Sequence, residues 1–485
     1  MRVDVVRRYQ NLLPAHDNHP YRTGAWRPNL TEYNATDLEV VGELPRDLRG
    51  VYLRNTENPL LPAIGRYHPF DGDGMLHALH FHEGGASYRN RMVRTAGLEA
   101  ELAAGAPLWA GIIESPEQSV RPDGWGARTR MKDASSTDVV VHRGTALTTF
   151  YQCGDAYRFD PRTLEQTGKE TWGGRFPSEW GISAHPRVDE HTGELLFFNY
   201  SKQAPYLNVG VVSAAGEVLR TTPVPLPGSR LPHDLAFTEH HVIVNDFPSF
   251  WEPGRLARGI HSARYRPDLP SRFAVVPRDG GEPRWFEASP TYVLHFVNAF
   301  EEGEEVVLDG YFQHDPMPLP RPDDGPWTPL MRLLDMHALG TRLHRWRFNL
   351  RTGATREEQL DDDISEFPSI HGRARGRPYR YVYSMLGEPG WFLFNGLSRR
   401  DLKTGATQRY LFPKGVFASE APVAPRVGST DEADAYLVTF VSDLNTDSSE
   451  CQVFDAKELS RGPLCRVKLP ERLCAGTHAF WTGAA

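Results

Sequence analysis

Three phrases in this 485-residue chain share one grammar, and together they limit the folds open to it. Each sets a histidine ahead of a short apolar run, a polar turn and a second apolar run. The first carries His185 and Pro186, turns at Asp189 and Thr192-Gly193, and enters Leu195-Leu196-Phe197-Phe198. The second carries His233, then Ala236-Phe237, a turn from Thr238 to His241, and Val242-Ile243-Val244. The third carries His295, continues to Phe300, turns at Glu301-Glu302-Gly303 and enters Val306-Val307-Leu308. Short runs rich in β-branched and aromatic residues, punctuated by Gly, Asp and Thr, read as strands joined by tight turns. A histidine just upstream of such a strand sits where a loop can aim its ring, and Pro186 ends any helix at the first of them.

A second pattern recurs through the chain: Asp160 to Leu164, Asp189 to Gly193, Asn349 to Gly353 and Asp401 to Gly405. Each is an Asp or Asn at an apolar strand end, followed by a Thr-Leu or Thr-Gly turn into another strand. Repeated turns among short strands and few helices are what a radial array of small antiparallel sheets produces. The expectation is an all-β propeller, with a spacing too irregular to count blades. The 43 glycines and 39 prolines are spread along the chain, which suits many tight turns, and no low-complexity segment marks a boundary. Residues 1–39 are polar and proline-bearing and read as an N-terminal extension packed on the body, leaving 40–485 as a single propeller domain.

Helical periodicity is confined to two places. Ala96 to Trp109 places Leu98, Leu102 and Ala103 on one side. Leu330 to Leu339 is apolar around much of its circumference, and would cap a ligand tunnel, touch a membrane surface or lie buried against the body. Asp71 and Asp73, in Phe70-Asp71-Gly72-Asp73-Gly74, read as a hairpin turn, because the twelve-residue loop of a calcium hand is missing.

A net charge of −8 provides no basic field for phosphates and argues against a nucleic-acid partner. The first residues, with Asp4, Arg7 and Arg8, have no apolar core for a signal peptide, and no 18-residue apolar run spans a membrane. Cys153, Cys451, Cys465 and Cys474 form no Cys-x-x-Cys pair, so reduced thiols in a cytoplasmic protein are expected, with any membrane association peripheral.

The motifs, taken in order, resemble the carotenoid cleavage oxygenase family, which includes the lignostilbene and isoeugenol cleaving enzymes. The resemblance rests on Val51-Tyr52-Leu53-Arg54-Asn55 with Asn58-Pro59, on His68 to Gly74, and on Ala184-His185-Pro186. It continues through His233-Asp234, His295 with Asn298-Ala299, Glu366-Phe367-Pro368, Glu420 with Pro422, and His478. It implies a seven-bladed β-propeller with a few helices and loops capping one face. It also implies a non-haem Fe(II) held by His185, His233, His295 and His478, with Glu366 and Glu420 accepting hydrogen bonds from the ligating rings. The reaction implied is oxidative cleavage of an alkene C=C bond by O2 into two carbonyl products, on a lipophilic or aromatic alkene.

One family glutamate is missing. Its position falls on Tyr151 or Gln152, so Gln152 is expected to accept through a neutral amide oxygen instead. The lysine that binds the phenol in lignostilbene and isoeugenol cleaving relatives falls on Phe150 or Tyr151, which become candidates for an apolar tunnel and favour a carotenoid or apocarotenoid over a stilbenoid or phenylpropene. Two other classes stand beside this reading: a metal-free propeller acting as an interaction scaffold, and a calcium-dependent propeller hydrolase, which wants oxygen ligands.

Overall fold

The computed structural model describes residues 1–83, 85–126, 130–175, 181–252, 254, 263–319, 321–323 and 325–483. Short antiparallel strands dominate it and helices are few. Four sheets hold four strands each, and they start at Asp138–His142, Arg187–Val188, Ala236–Phe237 and Phe296–Glu302. A six-stranded sheet joins Arg2–Arg8, Thr31–Thr36, Gly85–Met92, Asp73–His82, Gly50–Asn58 and the C-terminal Ala479–Gly483. A ten-stranded sheet runs from Ser365–Ser369 to Pro463–Lys468, which pairs in turn with Val40–Gly42 near the N-terminus.

All three histidine phrases fold as hairpins. Arg187–Val188 pairs with Leu195–Tyr200, Ala236–Phe237 with His241–Asp246, and Phe296–Glu302 with Glu305–Phe312, all antiparallel. Leu195–Tyr200 is buried along its whole length, as an apolar run without alternation requires. The recurring Asp/Asn turns are one structure used four times. The side-chain oxygen of Asp160, Asp189, Asn349 or Asp401 accepts the backbone N–H two residues on. The carbonyl of the same residue accepts from the residue four on. That fourth residue is left-handed, with φ of 56° at Leu164 and 71°, 80° and 75° at Gly193, Gly353 and Gly405.

Three local readings change. The Ala96 helix ends at Ala104, where Gly105 at φ 63° stops it, while Thr95 caps its start. The apolar run from Leu330 to Leu339 is broken into Thr328–Arg332 and Met336–Leu339, because Asp335 caps the second piece by accepting from His337 N–H. Leu334, Met336 and Leu339 are buried in the core, and Leu333 is exposed. Asp71 and Asp73 do not sit in a hairpin turn. Asp71 closes a 3-10 turn capped by His68, while Asp73 opens the strand Asp73–His82 and pairs with the Lys132 ammonium at 2.9 Å. The four cysteines are free and buried, and among the described residues no helix is long and apolar enough to cross a membrane.

Candidate metal centre

Six sheets bring six polar side chains to one place. His185 and His233 sit in the loops that feed Arg187–Val188 and Ala236–Phe237, and His295 and His478 directly precede Phe296–Glu302 and Ala479–Gly483. Asp138 leads Asp138–His142, and Glu366 lies in Ser365–Ser369. Each of these strands is the end strand of a different sheet. A ring placed at the mouth of an end strand inherits the rigidity of the sheet behind it, which is what a precise site needs.

The four expected histidines are brought together, all buried. The His185 ring centroid lies 4.9 Å from that of His233, 5.1 Å from His295 and 4.4 Å from His478. His295 lies 5.3 Å from His233 and 4.6 Å from His478. Ligand atoms of His185, His233 and His295 fall within 4.8 Å of one another, and a second such group joins His185 and His478 to Asp138. A metal about 2.1 Å from each imidazole nitrogen sets neighbouring nitrogens about 3 Å apart and opposite ones about 4 Å apart, so the cluster has the right span.

The outward nitrogens of three rings face carboxylates. His295 Nδ1 lies 2.6 Å from Glu366 Oε2, His478 Nδ1 3.3 Å from Glu420 Oε2, and His185 Nδ1 3.0 Å from Asp138 Oδ2. Each carboxylate fixes Nδ1 as the N–H and turns the lone pair of Nε2 inward. The Nε2 atoms of His185 and His295 are buried with no hydrogen-bond partner, the condition of nitrogens that a shared cation would satisfy. The donor set therefore fits a divalent first-row metal.

At three of the four rings the electrostatics agree. Burial, aided by the neighbouring imidazoles, holds His185, His233 and His295 well below the usual histidine range, so their lone pairs are free. At His478 burial also pulls downward, but the Glu420 and Asp138 carboxylates together outweigh it and raise the ring. Burial pushes the Glu366 carboxyl up to about 8, against the hydrogen bond it accepts from Phe367 N–H.

Asp234 ties three of the loops together. Its Oδ2 accepts from the Arg187 guanidinium at 2.6 Å and from Phe296 N–H at 2.9 Å, so the neighbour of His233 holds chain next to His185 and His295. His185 itself has φ of 62°, and Phe367 has 53°, left-handed conformations that cost a bulky residue energy and that this packing sustains. Phe367 stacks on His478 at 4.7 Å and 22° and touches the His295 ring at 4.7 Å. From there an aromatic wall runs through Phe392, at 5.9 Å, to Phe70 and Tyr151.

Of the other expected residues, Tyr151 faces the His233 ring at 5.6 Å, while Phe150 is buried beside it and borders a separate small cavity with Leu61, Tyr67 and Lys132. Gln152 makes no hydrogen bond to a histidine ring through its amide oxygen. Its Oε1 is buried without a partner, and the third carboxylate against a ring is Asp138. Sequence reading missed Asp138 because an acid at the head of Val139-Val140-Val141 looks like a strand-opening turn residue. The one signal was its place, at the mouth of an apolar strand, which is also where the histidines stand.

Residues 26–483 match the model of the retinal pigment epithelial membrane protein family. A carotenoid 9,10(9′,10′)-cleavage dioxygenase 1 of Phaseolus vulgaris is 31% identical, over 98% of this chain and 90% of its own length. An isoeugenol monooxygenase of Pseudomonas nitroreducens is 29% identical, over 96% and 98%. The crystal structure of a Pseudomonas brassicacearum lignostilbene dioxygenase superposes with a TM-score of 0.86 at 28% identity, covering 96% of this chain and 99% of that one.

Proposed function

Because the chain belongs to the carotenoid cleavage oxygenase family, we propose that it is a non-haem Fe(II) dioxygenase that cleaves an alkene C=C bond with O2 to give two carbonyl products. The observation that carries this reading is the buried cluster of His185, His233, His295 and His478, in which the inward nitrogens of His185 and His295 are left unpartnered. Bound there, iron supplies open coordination positions where O2 can be activated beside an alkene, with no organic cofactor. The protein's residues set that site up. Glu366 and Glu420 hold the His295 and His478 tautomers, and Asp234 locks the loops beside three of the rings. Phe367, Phe392, Phe70 and Tyr151 present an apolar, aromatic surface that keeps out water and accepts a flat conjugated chain.

The propeller is part of the same proposal. The six-stranded sheet and the four four-stranded sheets supply five blades, and the ten-stranded sheet divides into two units, one built on Ser365–Ser369 and one on Ala435–Asp443, for a total of seven. In it, residues 1–39 are an extension laid on the 40–485 body, which the pairing of Thr31–Thr36 with Gly85–Met92 supports.

The favoured substrate is a carotenoid or apocarotenoid, supported by Phe150 and Tyr151 where phenol-binding relatives carry lysine. The second reading, a stilbenoid or phenylpropene, is supported by the near-complete overlap with an isoeugenol monooxygenase and a lignostilbene dioxygenase. The test gives the Fe(II)-loaded protein carotenoids, apocarotenals, stilbenoids and phenylpropenes under air and identifies aldehydes by mass spectrometry. Cleavage of the polyenes is expected; cleavage of only hydroxystilbenes or phenylpropenes overturns the substrate, and no cleavage with iron bound overturns the reaction.

A further inference from the structure

We propose that Asp138 is the third positioning carboxylate of the metal centre, moved in this chain onto a different histidine from the one the Gln152 region would serve. The inference rests on the metal-binding reading above. Among the described residues, carboxylates pair with the rings of His185, His295 and His478, through Asp138, Glu366 and Glu420, and none pairs with His233. His233 has Tyr151 as its aromatic neighbour instead, and the Gln152 amide beyond it leaves its oxygen unused. Three carboxylates around four imidazoles are thus kept in number while their distribution changes.

Asp138 is built for this task. Its Oδ1 accepts its own strand's Val139 N–H at 2.7 Å, which leaves Oδ2 for His185 Nδ1 at 3.0 Å. The backbone is fixed as well, since Asn55 Nδ2 donates to the carbonyls of Ser135 and Asp138. The side chain is 13% exposed, and with Arg187, Arg375 and Glu420 it lines a cavity of about 40 Å3 behind the rings. Burial raises the Asp138 carboxyl to about 6, against the nearby His478 ring and the Arg187 guanidinium, which itself pairs with Asp234. The ring that Asp138 meets most needs a tether. His185 carries a left-handed backbone between Ala184 and Pro186, and a hydrogen bond to Nδ1 is what prevents that ring from rotating its Nε2 away. With Nδ1 as the N–H of His185, Asp138 acts as an acceptor for the ring rather than as a ligand, so its group with His185 and His478 is part of the same centre.

Replacing Asp138 by Asn leaves one acceptor oxygen, which can stay on Val139 N–H while the amide NH2 faces His185 Nδ1 and cannot accept from it, so the strand end keeps its cap while the ring loses its anionic acceptor. Co(II), a visible-absorbing stand-in for Fe(II), is titrated into the metal-free wild type, Asp138→Asn, His185→Ala and the double variant. The expected result is one Co(II) per wild-type chain, roughly 10- to 100-fold weaker binding and a displaced d–d band for Asp138→Asn, and an unmoved melting temperature without metal. In the His185→Ala background, read as the weak residual Co(II) binding of the remaining rings at high Co(II), the Asn substitution should cost nothing further. Wild-type affinity and spectrum in Asp138→Asn overturn the inference, as does the same loss with His185 absent, or a melting temperature that falls in metal-free protein. A wild type that binds no metal overturns the reading beneath it, and that outcome is distinct from all of these.

Discussion

His185 shows how little freedom a single side chain has at this centre. A left-handed backbone, a proline on its C-terminal side and a carboxylate on Nδ1 leave Nε2 one direction to point. His295 and His478 reach the same end through Glu366 and Glu420, and there the charge of the acceptor can be removed without changing its shape. Glu366→Gln and Glu420→Gln should each lower iron affinity or turnover about 10- to 100-fold with folding intact. Iron titration and melting curves check this, and unchanged affinity and rate in both variants would take them out of the site. The histidines and these two glutamates were picked out in the sequence by the order of their motifs and by the family resemblance, not by any one local phrase. Asp138 and Phe367 were not. The function of Asp138 depends on a ring 47 residues away, and the left-handed backbone of Phe367 has no signature in an aromatic residue.

Among the elements, the Asp/Asn turn is the most legible, because its chemistry is local. A side-chain oxygen stands in for the carbonyl of the preceding residue, and the residue four on must turn left-handed to let the chain return. Gly405 takes that position at φ 75°, with nothing closer to an added Cβ than Arg400 at 3.6 Å. Gly405→Ala should therefore cost about 1–2 kcal/mol from backbone strain alone. Chemical denaturation measures it, and a change below the error of the experiment would mean the turn tolerates an L side chain. Element ends were less legible where a single polar residue intervenes. Asp335 sits inside an apolar run that reads as one helix, and its capping oxygen divides that run in two. The Asp71 and Asp73 stretch likewise carries turn residues but serves a capped 3-10 turn, because its partners, Ile112 and Lys132, lie far along the chain.

At the scale of the molecule the two ends of the chain are woven into its sheets. Ala479–Gly483 pairs with Gly50–Asn58, and Val40–Gly42 pairs with Pro463–Lys468. The first of these pairings sets His478 beside His185, 293 residues earlier in the chain, and Ala479 N–H fastens it by donating to Glu420 at 2.6 Å. Long-range pairing of this kind is invisible to a local reading of sequence, and only the order of the motifs hinted that a C-terminal histidine joins the other three. The central claim is that four imidazoles from four sheets hold one iron. The most direct measurement is the iron content per chain, by elemental analysis after anaerobic Fe(II) loading, of the wild type and of His185→Ala, His233→Ala, His295→Ala and His478→Ala. The account predicts close to one iron in the wild type and loss of bound iron in every variant. Full iron retained by any one of the four, in a protein that still folds, would contradict it.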